Sequence, residues 1–184
     1  MQLNELLDNT WKLLQRAAVD KKSPMRLGTV GTINNNEANL RTVVLRKVKE
    51  KQLIFYTDYR SPKVKELQQN TNISWLFYHP KKQIQLRLYG TANCLHQTRE
   101  TDLIWNSLPD FAKKDYITTQ SPSTDLQDNT AVPSYLSTMD ASNFCVVIST
   151  IHTIDYLQLK REGHLRAKFN RDKNGGFDGK WLVP

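Results

Sequence analysis

The chain has 184 residues, 39% of them hydrophobic and 24% charged, a balance that excludes disordered and fibrous chains and suits a single domain over residues 1–184. Lys and Arg number 26 against 18 Asp and Glu, a net charge of +8. That charge points to an anionic partner (nucleic acid, anionic lipid or a phosphorylated small molecule) or to a solvated basic surface.

No run approaches the roughly 18 apolar residues of a membrane-spanning helix, so no membrane partner is expected. Met1 to Asn9 hold two acids and no base, unlike the basic start of a secretory signal. Two cysteines, Cys94 and Cys145, are too few for a disulfide scaffold. The expected setting is a reducing cytoplasm.

Leu3, Leu6, Leu7, Trp11, Leu14 and Ala18 recur at three- and four-residue steps, which predicts an amphipathic helix over 3–18 packed on a core. From Met25 the period shortens. Met25–Ile33 reads as a strand, Asn34–Glu37 as a turn and Ala38–Val48 as a second strand rich in β-branched residues. Gln52–Thr57 is the next. Ser61-Pro62 predicts the cap and first turn of a short polar helix ending at Gln69. Ile73–Tyr78 and Gln83–Leu95 are further strands, with Gly90 marking a bulge or bend. Helical spacing returns over 98–117, residues 118–132 read as an exposed loop, and Val132-Pro133 leads into a short helix. Phe144–Ser149, Thr153–Leu159, Leu165–Asn170 and Lys180–Val183 complete the strands. Strands in hairpin-sized steps, without strand–helix–strand units, predict a mainly antiparallel sheet curled into a barrel, an α+β fold.

Phosphate-loop, dinucleotide-fingerprint and nucleophile-elbow motifs are absent. His79, His96, His152 and His164 show no metal-ligand spacing, so no metal is expected. No carboxylate pair stands out as acid and base, so no catalytic side chain is assigned. Chemistry carried by a bound cofactor fits better. The informative stretch is Leu40–Lys63. Alternation on a strand puts Arg41, Val43 and Leu45 on one face and Thr42, Val44 and Arg46 on the other. Ser61 and Lys63 open a helix, where backbone N–H groups and the dipole favour an anion. Arg41 and Lys63 together suit a phosphate; an exposed hairpin followed by a capped helix is the plain alternative. Phe55, Tyr56, Phe77 and Tyr78 read as barrel-core aromatics, not as stacking platforms for nucleic acid, and no nucleic-acid partner is expected.

The order of these pieces resembles the pyridoxamine 5′-phosphate oxidase-like family of FMN-binding split barrels. That family has an Arg-x-Val-x-Leu-Lys/Arg strand, a Phe-Tyr-Thr-Asn/Asp segment, a Ser-x-Lys helix start and a Gln-x-Arg-x-x-Gly strand. Here these are Arg41–Arg46, Phe55–Asp58, Ser61–Lys63 and Gln85–Gly90. Trp75–Tyr78, Gln120-Ser121, Val132-Pro133, Ile154–Gln158 and Trp181–Pro184 also follow the family's order.

The resemblance implies an antiparallel split barrel, FMN as cofactor and a homodimer with flavin sites at the subunit interface. It places Arg41 and Lys63 on the FMN phosphate with Ser61 beside them, and Arg60 in place of an arginine that Pro62 displaces. Thr42, Val43 and Val44 would run along the flavin ring, with Tyr56 and Thr57 near the ribityl-phosphate arm. Gln85 would reach the ring from a neighbouring strand, and Gln120 and Ser121 would come from the second subunit. Arg46 and Arg166 would hold an anionic small-molecule substrate. The family's second phosphate clamp is largely replaced, by Leu103, Ser107 and Phe111. The implied activity is hydride transfer between flavin and a small substrate, anionic where Arg46 and Arg166 hold it, in a branch distinct from the vitamin B6 enzyme proper. The alternative is a flavin-binding or sensor module without turnover.

Overall fold

The computed structural model describes residues 2–126 and 134–184. Helix α1 (Leu3–Val19) buries Leu6, Trp11, Leu14, Ala17 and Ala18 against the barrel, as its apolar spacing predicts. Strands β1 (Leu27–Asn34) and β2 (Glu37–Val44) form a hairpin turned by Asn35 and Asn36, both at positive φ. The expected strand Ala38–Val48 is two strands. Leu45, fully buried, turns the corner into β3 (Lys47–Lys49), which pairs with β4 (Gln52–Asp58). Helix α2 spans Pro62–Gln69, and β5 (Asn72–His79) and β6 (Ile84–His96) follow.

The expected helix over 98–117 is broken by Pro109 into α3 (Arg99–Ser107), α4 (Asp110–Lys113) and a 3-10 turn at Lys114–Tyr116. Val132-Pro133 lie outside the described residues. Beyond them Tyr135 bridges back to Thr118 as an isolated strand contact. The two strands expected over 144–159 are one, β7 (Phe144–Gln158); β8 (Leu165–Arg171) and β9 (Phe177–Leu182) complete the sheet.

All strand pairs are antiparallel, in the order β2-β1-β5-β6-β7-β4-β3. The two ends of that path, β2 and β3, are joined by Leu45 and Arg46 alone, so the sheet must curl until its ends meet. The Leu45 N–H donates to the Arg26 carbonyl and the Arg46 N–H to the Ile54 carbonyl, each at 2.8 Å, which fixes the seam.

β7 splits this barrel. One of its edges pairs with β6 along its length; the other takes β4 over Phe144–Thr150 and β8 over Thr153–Gln158. The changeover coincides with a bulge: Tyr89 pairs Thr153 and Gly90 pairs Ile151, leaving His152 as the extra residue. A Cβ on Gly90 would overlap the Thr150 carbonyl, so the bend predicted at this glycine depends on its lack of a side chain.

The main core lies inside the barrel under α1 and α2, around Phe55, Trp75, Phe77 and Phe169. A second apolar cluster lies on the other side of β4 and β7, where Phe144 meets Trp105, Tyr116 and Ile117 from α3 and the 3-10 turn. Register puts Leu27 and Leu40 on one outward sheet face with Leu76 and Tyr78. These four are 55%, 70%, 41% and 48% exposed, an apolar surface on the outside of the sheet.

Candidate functional site

The start of α2 carries the densest cluster of sequence-predicted site residues. Ser61 is its N-cap and Pro62 its first residue. Ser61 is fully buried, yet its hydroxyl makes no capping hydrogen bond and lies 3.3 Å from the Thr57 hydroxyl. The Lys63 ammonium donates to Thr57 Oγ1 at 3.0 Å. Burial pulls the Lys63 pKa below the usual lysine value and the nearby Arg41 charge adds to the effect, with Asp58 and Glu66 opposing. Lys63 forms no ion pair among the described residues. The acids beside it are engaged elsewhere, Asp58 by Arg60 at 2.7 Å and Glu66 by Arg41 at 2.9 Å. A buried hydroxyl, a half-buried ammonium without a counter-ion and the first turn of a helix are the donor set of a phosphate site.

Arg41 stands behind this cluster. Its guanidinium reaches across to α2, donating to Glu66 Oε2, to the Thr32 hydroxyl and to the Asn39 carbonyl. Glu66 is only 4% exposed and also accepts from Thr32 and Asn39. Burial alone would raise its pKa; the Thr32 and Asn39 hydrogen bonds and the Arg41 charge outweigh that and hold it below the usual carboxylate range. The sequence reading did not single out Glu66, which holds Arg41 in place. It lies 25 residues from Arg41 on a helix read as merely polar, and its burial is the only signal that singles it out.

Three expectations change with the geometry. Arg60 is committed: it grips both oxygens of Asp58 and donates to the carbonyls of Thr118, Thr119 and Gln120. It therefore tethers the 118–120 segment and is not a free phosphate ligand. Tyr56 and Thr57 point to opposite faces of β4, so within one chain they do not line the same arm of a ligand. Thr57 faces Ser61, whereas Tyr56 packs on Phe144 in the second apolar cluster. The alternation drawn through Arg46 ends at Val44, where β2 stops. Beyond the corner the Arg46 guanidinium lies over the Tyr56 ring, 5.5 Å from its centroid.

Arg46 is half-buried and has no carboxylate partner among the described residues. Burial pushes up the pKa of Tyr56 and of Tyr116, and the Arg46 charge partly opposes it in both. Arg166 differs: it donates through Nε and Nη2 to the buried Asp155, at 3.2 and 3.0 Å, and Arg87 binds the same carboxylate. Burial works to raise the Asp155 pKa, but the two arginines hold it below the usual range. Thr42 and Val44 lie on the outward sheet face with Leu40, Val43 packs on the main core, and Gln85 is half-buried opposite Tyr78. Gln120 and Ser121 line a hollow of about 300 Å3 in their own loop. Leu103 and Phe111, at the positions of the family's second clamp, are exposed.

An antiparallel barrel with one long strand shared between two sheet edges is the architecture of the FMN-binding split barrels. Residues 7–96 match the family model described as pyridoxamine 5′-phosphate oxidase, FMN-binding domain. A pyridoxine/pyridoxamine 5′-phosphate oxidase of Psychrobacter cryohalolentis is 28% identical over 98% of this chain and 88% of its own length. One from Leptospira biflexa is 36% identical over 37% of this chain and 31% of its own.

Among solved structures, a pyridoxamine 5′-phosphate oxidase-related, FMN-binding protein of Nostoc punctiforme superposes over the full length of both chains. Its TM-score is 0.79 at 21% identity. PhzG of Burkholderia lata, solved with tetrahydrophenazine-1-carboxylic acid, covers 97% of this chain and 92% of its own, with a TM-score of 0.75 at 19% identity. The resemblance to the pyridoxamine 5′-phosphate oxidase-like split-barrel family, read first from the order of motifs, is borne out in sequence and in fold.

Proposed function

We propose that this protein is an FMN-dependent oxidoreductase that acts on a small anionic substrate. The observation that carries the reading is the start of α2, where the buried Ser61 hydroxyl, which makes no cap and touches Thr57, and the Lys63 ammonium, without an ion pair among the described residues, sit together with Arg41 behind them. This donor set fits the phosphate of FMN. Thr57 orients Lys63, and Glu66 holds Arg41 in place. Thr42, Val43 and Val44 offer a strand edge to the flavin ring, with Gln85 nearby on the same sheet. Bound FMN supplies the two-electron chemistry, so the chain itself needs no acid–base triad.

The protein works as a homodimer whose second copy covers the outward face of Leu27, Leu40, Leu76 and Tyr78. Apolar exposure of this kind, continuous with Thr42 and Val44, marks an interface. Gln120 and Ser121 of one copy then reach the flavin of the other. Arg46, backed by Tyr56 and without a carboxylate partner among the described residues, receives the anionic end of the substrate. Arg166 supports the site through its pairing with Asp155.

Freshly purified protein is expected to carry the visible absorbance of flavin, or to acquire it with added FMN. A colourless protein that stays colourless in excess FMN ends the reading. The exposed Leu103 and Phe111 favour a second reading, a flavin carrier without turnover. Anaerobic reduction by NAD(P)H or amines, followed by reoxidation in air over many cycles, excludes it.

A further inference from the structure

The cationic surplus does not concentrate at the α2 site, where Arg41 and Arg60 are each matched by an acid. It gathers elsewhere. A cleft of about 430 Å3 opens between the C-terminal half of α1 and the turn that joins β5 to β6. Arg16 and Lys22 of one wall face Lys81 and Lys82 of the other, and Leu13, Pro24 and Pro80 add apolar lining. Two adjoining hollows share Leu13 and Lys82 with it and add Lys12 and Lys160.

The acid on the cleft wall, Asp20, is already engaged: it accepts the Lys22 N–H at 2.9 Å and lies 3.9 Å from Arg16. Lys22, Lys81 and Lys82 form no ion pair among the described residues. The C-terminal carbonyls of α1 would oppose an anion, but Arg26 donates to the Ala18 carbonyl at 2.9 Å and offsets part of that field. Burial, and after it the Lys82 and Lys81 charges, lower the pKa of His79. Its Nδ1 accepts the Lys82 N–H at 3.3 Å, so the neutral ring carries its proton on Nε2 and adds a donor.

We propose that this cleft is a second binding site, for a small phosphorylated molecule whose phosphate meets the lysines of the β5–β6 turn and whose apolar part lies on Leu13, Pro24 and Pro80. The volume is that of a small-ligand pocket. A concave wall favours a small ligand over a lipid surface. No Phe, Tyr or Trp is among the described residues that line the cleft, which disfavours single-stranded nucleic acid. The site shares no residue with the α2 cluster, and the proposal does not rest on flavin binding.

Calorimetric titration of the full chain, given one equivalent of FMN per chain at low ionic strength, with inorganic pyrophosphate tests it. A saturable site is expected that persists in Arg46→Leu, apart from any binding at the proposed substrate site. Its affinity should fall at least tenfold in the K81E/K82E double variant and stay unchanged in Lys63→Met. Both lysines are exposed on a turn, and an unaltered melting temperature in K81E/K82E shows that the loss is local. The proposal is overturned by no saturable binding, by equal affinity in K81E/K82E, or by loss in Lys63→Met instead, which would assign the binding to the α2 site. It is also overturned if single-stranded DNA or anionic vesicles bind more tightly than pyrophosphate with the same sensitivity to K81E/K82E. A chain that takes up no FMN still gives a readable titration, so the two readings fail separately.

Discussion

Arg41 on β2 and Glu66 on α2 form an ion pair at 2.9 Å that crosses from the sheet to the helix bearing Lys63. The carboxylate is almost fully buried, so the pair is structural before it is functional. Replacing Arg41 with Met leaves Glu66 held only by Thr32 and Asn39, and the expected loss is about 3 kcal/mol. Equilibrium urea denaturation measures it, and a loss below about 1 kcal/mol contradicts the arrangement. The double variant R41M/E66M should recover much of the loss, because no unpaired charge remains. The acid side follows from the lowered pKa of Glu66. Its contribution is present above the ordinary carboxylate range and is lost as pH falls through the depressed folded value. Glu66→Gln should therefore flatten the decline of stability in acid.

Lys63 shows the opposite linkage. Its folded pKa lies below the ordinary lysine value, first because of burial and then because of Arg41. Holding it charged near neutral pH costs stability in the cofactor-free chain, and that cost is relieved as pH rises from the folded value toward the unfolded one. Lys63→Met should raise the melting temperature of the apo protein while weakening FMN. Loss of one charge-assisted phosphate contact, about 2 kcal/mol, corresponds to roughly thirtyfold in affinity. Riboflavin, which lacks the phosphate, should bind wild type and variant alike. Equal losses for both ligands in fluorescence titrations would remove the phosphate role from Lys63.

The sheet was legible because strand periodicity and turn residues state it locally: Asn34–Glu37 and Gly90 both mark real punctuation. The corner at Leu45 was not, since nothing in Thr-Val-Val-Leu-Arg-Lys says that the barrel seam falls inside a continuous β-branched run. Pro109 was the visible signal that 98–117 is not one helix. The polar pairings were the least accessible. Asp155 meets Arg87 across 68 residues and Arg166 across 11, and only strand register brings them together. Arg60 was assigned by its position beside Ser61, whereas Asp58, two residues away, determines what it does.

Arg46 and Arg166 should separate by function. Arg46 has aromatic support and no carboxylate partner among the described residues; Arg166 is bound to Asp155. In the FMN-loaded protein, Arg46→Leu should weaken binding of pyridoxine 5′-phosphate, used as an anionic probe, about tenfold or more at little cost in stability. Arg166→Leu should instead lower the denaturation midpoint, because Asp155 loses one of two partners. Spectroscopic titration and urea unfolding read the two effects, and an unchanged probe affinity in Arg46→Leu would remove that residue from the substrate site.

The outward row of Leu27, Leu40, Leu76 and Tyr78 sets the last test. Leu40 is 70% exposed, and its register partner Gly31 contributes no side chain to cover it. An aliphatic side chain left this open is worth burying, about 2 kcal/mol on each copy for a leucine. A glutamate there would place two like charges across a symmetric interface. Leu40→Glu, alone or with Leu76→Glu, should shift the protein from dimer to monomer in light scattering and leave the circular dichroism of the barrel intact. FMN affinity should fall with it, because Thr42 and Val44 share that face and the proposed Gln120 and Ser121 contacts come from the second copy. A variant that stays dimeric moves the interface elsewhere; one that becomes monomeric but keeps full FMN affinity places the flavin within a single chain.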